Sequence, residues 1–304
     1  MDIKYFVSWV TWPALMVICL AITAYGFALG HPVIAFNISY VFLIVALWRL
    51  EIFMPYAREW QKPDGQNLAS IAHTLTSKGT VQGVLLFGGT IGLADYITPV
   101  SAPGYSLWPR DWPMTAQVIL GLVTAEFGLY WGHRLAHETY ILWRFHMIHH
   151  SVTKLWFVNT GRFHFVDSFK SIMMGLGVLL ALGAPMEVVK WMSVITAFIG
   201  MLTHCNVEMR FGWLSYIFNT PTLHRWHHSK KIREGNKNYS ENIMLWDLIF
   251  GTFFNPDRPP PVDIGIKEIM PTRFGVQLIW PFLPVALKRK FEPDYVPLPF
   301  VRKL

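Results

Sequence analysis

Ten of the twelve histidines fall between His133 and His228, and eight of these sit in three tight runs. The runs are His133-Arg-Leu-Ala-His137, His146-Met-Ile-His149-His150 and His224-Arg-Trp-His227-His228. Side chains three or four positions apart share one face of a helix, so each run can aim its imidazoles at one place. Chance interfacial histidines account for one such run; they do not account for three with matching spacing. With only two cysteines in the chain, the set points to metal held by nitrogen. Eight imidazoles exceed the needs of one ion, so two ions are expected.

Ligand type alone does not choose the metal, because imidazole suits Zn, Cu, Fe and Ni. A structural zinc takes four ligands, usually with cysteine among them. Two irons that activate dioxygen fit this many histidines around a lipid-facing helical pocket. Neutral ligands leave such a pair strongly cationic, so hydroxide or oxide bridges and nearby acids are expected. Glu126, Glu138, Asp167, Glu208 and Asp247 are the candidate acids. Glu126 shares a helical face with Tyr130, His133 and His137, and a carboxylate inside an apolar helix turns to the protein interior or a functional site. It either takes the second N–H of a histidine ligand or pairs with an Arg or Tyr for stability alone.

The elements that must position these residues are apolar. The chain is 53% hydrophobic and only 15% charged, with a positive mean hydropathy, which marks a membrane protein. The net charge of +7 is read as cytoplasmic positive charge rather than as an affinity for nucleic acid. Four long apolar stretches, Phe6–Leu29, Val33–Phe53, Gly79–Thr98 and Met114–His137, are expected to span the bilayer. The first has the length of a retained span and no clear signal-peptide cleavage site. Val166–Leu182 and Met186–Thr203 form a hairpin punctuated by Gly183-Ala184-Pro185. Thr220 and Pro221 are suited to the N-cap and first position of the helix that carries the third run. Cys19 and Cys205 lie in unrelated contexts, so no disulfide is expected.

With a cytoplasmic amino terminus, the alternation of spans delivers all ten clustered histidines to one layer on the cytoplasmic side. The basic residues agree: Arg134, Arg144, Lys154, Arg162, Lys170, Arg210, Arg225, Lys230, Lys231 and Arg233 fall on that side, against Arg110 and Lys190 outside. The expected architecture is therefore all-α and polytopic, with four transmembrane helices, a membrane-embedded helical hairpin and a cytoplasmic histidine-rich helical cap.

The order H-x3-H, H-x2-H-H, H-x2-H-H resembles the fatty acid hydroxylase / sterol desaturase superfamily of integral membrane di-iron oxygenases. Trp143-Arg-Phe-His146, Asn159-Thr-Gly-Arg-Phe-His164, His204-Cys-Asn206, Thr220-Pro-Thr-Leu-His224, Asn238-Tyr239 and Trp246-Asp-Leu-Ile-Phe-Gly-Thr252 support the match. The resemblance covers roughly Glu51 to Thr252. It implies that His133, His137, His146, His149, His150, His224, His227 and His228 are catalytic metal ligands, joined by His204 and, ranked lower, His164. It also implies that Asn206 and Tyr239 are polar partners around the ligands, alongside the candidate acids. His31 and His73 lie outside every motif and are given ordinary roles.

What the resemblance implies for function is an O2-dependent monooxygenase with two Fe ions that hydroxylates a C–H bond of a lipid drawn from the bilayer. The substrate class, whether sterol, fatty acyl or related, stays open. No fused cytochrome-like domain or nucleotide motif is recognised, so electrons are expected from a separate donor protein or a small reductant. A lipid desaturase on the same metal site is the close alternative. A metal transporter or metal-binding membrane protein is the distant one, since transport sites sit near the bilayer midplane. One domain is expected over 1–304, with the histidine-motif catalytic region at 126–252 and an interfacial tail at 253–304.

Overall fold

A computed structural model describes residues 2–90 and 107–297, and the side chains of all these except residues 78 and 80–90. Within them the chain is helical, and the extended pairings are isolated bridges such as Ser229 with Ile264. The long helices are α1 (Ile3–Ala28), α2 (Pro32–Phe53), α3 (Asn67–Thr90), α4 (Met114–Glu138), α5 (Tyr140–His150), α6 (Phe165–Ala181) and α7 (Met186–His204). Shorter helices follow: α8 (Pro221–His227), α9 (Ile232–Gly235), α10 (Leu245–Ile249), α11 (Phe274–Ile279) and α12 (Val285–Phe291). The end of the third apolar stretch, 91–98, and much of the loop after it, 101–106, lie outside the described residues.

Among the described residues, α1, α2 and α7 are long and apolar enough to cross a membrane. Their outward faces fit that solvent: Val17 at 65% exposure, Tyr25 at 70% and Val33 at 70% leave an apolar belt that water would not tolerate. The fourth stretch, α4, is not in that set, because Gln117, Glu126, His133, Arg134 and His137 lower its hydropathy.

Between α1 and α2 a polar contact replaces the hydrophobic drive that lipid removes. Ser39 Oγ donates to Cys19 O at 3.1 Å and lies 3.1 Å from Thr23 Oγ1. Trp12, Leu15, Cys19, Leu43 and Leu47 from this pair pack with Phe198, Ile199 and Leu202 of α7 into the main core. That contact carries His204, the last residue of α7, to a fixed place. Cys19 and Cys205 are both free thiols.

α4 and α6 are in backbone contact at Gly128. A Cβ there would sit 1.7 Å from Met174 O, so no larger residue fits without moving α6. α4 turns into α5 through Thr139, whose N–H closes α4 on Leu135 O at 2.9 Å and whose carbonyl receives Trp143 N–H of α5 at 2.9 Å. The sharp turn folds the second histidine run back over the first. Thr220 and Pro221 open α8 as the sequence suggests, but the Thr220 hydroxyl makes no capping bond. α8 is anchored instead by Arg225, whose Nη2 donates to Cys205 O and Val207 O, both at 2.9 Å.

Candidate metal centre

The histidines form two buried groups. His133, His137, His146, His150 and His227 make the first, and His149, His204, His224 and His228 the second; within each group one nitrogen per ring lies within 4.8 Å of all the others. The groups cut across the runs of the sequence. His149 and His150 are neighbours in the chain yet belong to different groups, and so are His227 and His228. Successive helical residues point about 100° apart, so the two rings of a His-His pair turn to different groups. The expectation that each run aims at a single place therefore holds only for His133 and His137.

In the first group the outer nitrogens are held by oxygen. Nδ1 of His133 donates to Tyr239 O at 2.6 Å, that of His137 to Asn236 Oδ1 at 3.2 Å, that of His146 to Asp167 Oδ2 at 2.7 Å and that of His227 to Lys237 O at 2.8 Å. Each such bond fixes the tautomer with the proton on Nδ1, which leaves the Nε2 lone pair bare and pointing inward. His133 Nε2 and His227 Nε2 are buried with no hydrogen-bond partner, and His150 Nε2 lies 3.0 Å from His137 Nε2 and 3.1 Å from His146 Nε2. Converging lone pairs without donors would each cost about 1–3 kcal/mol. A cation between them removes that cost, so the donor set fits a metal ion.

The second group is tied down differently. His204 donates Nδ1–H to Asn159 Oδ1 at 3.0 Å, and its Nε2 sits 2.8 Å from His224 Nε2. His228 Nε2 is 3.1 Å from His224 Nε2 and 3.2 Å from His149 Nε2. Phe163 stacks on the His149 ring at 4.2 Å and 9°. The two groups meet where His150 stacks on His228, ring centres 4.4 Å apart. Burial, with the surrounding imidazoles second, holds His149, His150, His224 and His228 well below the usual histidine range. Neutral rings are the form a metal binds.

The acids and polar partners divide as sharply. Asp167 receives both His146 Nδ1–H and Lys170 Nζ, the latter at 2.6 Å. Glu126 touches no histidine; it receives the Glu241 N–H, and Asn242 N and Nδ2 at 2.9 and 2.8 Å. Asp247 accepts from Tyr239 N at 2.9 Å and Ser240 N at 2.7 Å. Together these two carboxylates fasten the 239–242 turn, whose Tyr239 carbonyl receives His133. Glu126 thus bonds neither a histidine nor an Arg or Tyr but the backbone and Asn242 of this turn, and Tyr130 bonds Thr252 and Arg134 instead.

Other residues expected near the metal lie apart from the groups. His164 caps α6, accepting from Val166 N at 3.1 Å and donating to Leu278 O at 3.0 Å, so neither of its ring nitrogens faces the histidines. Asn206 clamps Ala57 through N–H and carbonyl, both at 2.9 Å. Glu208 uses its backbone N–H on Met54 O, and Glu138 pairs with Arg134 at 2.8 Å. His73, given no special role in the sequence, is wholly buried between Phe163 O and Gln277 Oε1.

Asn159, Asn236 and the Lys237 carbonyl orient histidines, and spacing does not single them out. Asn159 opens the Asn159–His164 motif, which is the one signal that could have found it. A backbone carbonyl leaves no signature in residue type.

A family model described as fatty acid hydroxylase matches residues 118–252, which contain both groups. The ornithine lipid hydroxylase OlsE of Rhizobium tropici is 49% identical over 280 residues, covering 91% of this chain and 84% of that protein. The alkylglycerol monooxygenase of Homo sapiens is 32% identical over 168 residues, covering 55% of this chain and 37% of its own length. The very-long-chain aldehyde decarbonylase GL1-4 of Oryza sativa subsp. indica is 28% identical over 181 residues, covering 55% of this chain and 28% of its own. No solved structure matches.

Proposed function

We propose, since this chain belongs to the fatty acid hydroxylase superfamily, that it is a membrane-bound di-iron monooxygenase that hydroxylates a C–H bond of a polar lipid with O2. The observation that carries the reading is the pair of buried imidazole groups in contact through His150 and His228. His133, His137, His146, His150 and His227 would hold one iron, and His149, His204, His224 and His228 the other. Iron bound there supplies the activation of dioxygen. The protein's part is to hold nine neutral nitrogens inward, to balance charge with Asp167, and to keep the site buried from bulk water. Electrons come from a separate donor protein or a small reductant.

In this reading the whole chain is one membrane-embedded domain, with residues 126–252 the catalytic region. The apolar stretches Phe6–Leu29, Val33–Phe53, Gly79–Thr98 and Met114–His137 are the four spans, α6 and α7 the hairpin. The histidine layer faces the cytoplasm, as the clustering of Lys and Arg on that side supports. The tail after residue 253 does more than lie at the interface. Tyr56 OH donates to Pro260 O at 2.6 Å, Trp60 Nε1 to Val262 O at 3.0 Å, and Gln277 reaches His73. The lipid class is taken from the relative with near full-length similarity, an ornithine lipid hydroxylase.

Lipid mass spectrometry of cells with and without the protein, grown under isotopically labelled dioxygen, tests this. The expected product is a lipid that gains one labelled oxygen atom. A loss of two hydrogens with no oxygen gained would make the protein a desaturase, and no lipid change would remove the reading.

A further inference from the structure

A cavity of about 300 Å³ opens onto the first histidine group alone, with His137, His150 and His227 in its wall. Half-buried Trp143 forms one side, its ring 5.4 Å from that of His137 and 5.6 Å from that of His150. The outer wall is a strap from the tail. Ile264 bridges to Ser229, Gly265 N–H donates to His228 O at 3.0 Å, and a Cβ on Gly265 would meet Val152 O at 2.8 Å. With φ at +114°, Gly265 is in a conformation that other residues rarely adopt, so the strap is set by glycine against the carbonyl ends of two histidine runs. The next residues it brings to the cavity are Ile266, Lys267 and Glu268.

Lys267 and Glu268 set two opposite charges side by side in the cavity wall. Lys230, also in the wall, is already paired with Asp263. Among the described residues neither Lys267 nor Glu268 is in an ion pair, and Lys267 is exposed. We propose that the cavity seats the polar end of the lipid, and that Lys267 and Glu268 select a zwitterionic head group bearing one carboxylate and one ammonium. Lys267 takes the carboxylate, Glu268 the ammonium, and Trp143 covers the carbon skeleton between them. The assignment rests on the lipid-hydroxylase reading for the identity of the ligand. It adds two specificity-determining residues that lie outside the matched family region.

The test uses the full chain in nanodiscs, loaded with zinc so that no turnover occurs. Three probes are titrated: an N-acylated ornithine amphiphile with free carboxylate and side-chain ammonium, its methyl ester, and its side-chain N-acetyl form. The wild type is expected to bind the first about tenfold more tightly than either blocked form, the scale of one charge-assisted hydrogen bond. Lys267→Glu is expected to lose the preference over the ester, and Glu268→Gln the preference over the N-acetyl form, both with unchanged metal content. Equal binding of all three probes by the wild type would overturn the proposal, as would variants that keep the wild-type pattern. Because the readout is a Kd, it separates the two claims. A lipid oxidised by cells, with all three probes bound equally, sinks the head-group site alone. The expected Kd pattern with no oxidised lipid sinks the hydroxylase reading alone.

Discussion

His150→Ala is expected to abolish lipid oxidation while leaving the protein inserted in the membrane. His150 Nε2 lies 3.0 Å from His137 Nε2 and 3.1 Å from His146 Nε2, so its loss opens the first group at the cavity. Its ring also stacks on His228 of the second group, so the change reaches both groups. Removing a partner outside the ligands typically costs about 10–100-fold in metal affinity or activity, and removal of a ligand in contact with both groups should cost more. Insertion depends on the apolar helices rather than on the buried imidazoles. The measurement is metal content and labelled-oxygen incorporation on the same membranes. A variant that kept both near wild-type levels would remove His150 from the site.

Asp167→Asn carries the second large effect. The carboxylate is buried on the first turn of α6 and accepts from His146 Nδ1 and Lys170 Nζ at once. An amide keeps the shape but loses the negative charge and must turn an N–H₂ toward one of two donors. His146 then loses its fixed tautomer or Lys170 loses its partner. The expected outcome is about a 10–100-fold drop in metal affinity or activity with little change in helix content, read by metal retention against a chelator and by circular dichroism. If metal is retained and only thermal stability falls, Asp167 serves the packing of α6 rather than the site.

Much of the site is legible because three imidazole clusters at helical spacing seldom arise except to bind metal. His133, His137, His146, His149, His150, His204, His224, His227 and His228 are all drawn into the two groups. What spacing does not carry is the partition. His149 and His150 read as one feature in the chain, but the helix turns them to different centres. The roles of the acids were less legible for a related reason. Asp167 bonds His146 directly, whereas Glu126 and Asp247 accept from backbone N–H groups of the 239–242 turn, a loop whose path no local pattern dictates. Asn206 and His164 lie in the motifs around the clusters, yet they are spent on Ala57 and on the cap of α6. A motif marks that a residue is used without stating what it touches.

The fold was legible at the level of apolar length: helices α1 and α2 stand almost where the hydrophobic runs place them. α4 shows the limit, since the polar residues that build the site are the same ones that take its hydropathy below that of an ordinary span. The tail was the least legible part. Its contacts with Tyr56, Trp60 and His228 join residues far apart in the chain, and only Gly265, held at positive φ, hints at a fixed path.

Counting metal tests most directly whether the nine histidines form two metal sites in one chain. Protein made in iron-sufficient cells, solubilised and measured by elemental analysis against amino-acid analysis, is expected to hold about two metal ions per chain, one for each histidine group. His204→Ala, which strikes only the second group, is expected to leave about one. Zinc in place of iron leaves the count unchanged. A fully loaded wild type with a single metal ion per chain would contradict the account, whatever its activity.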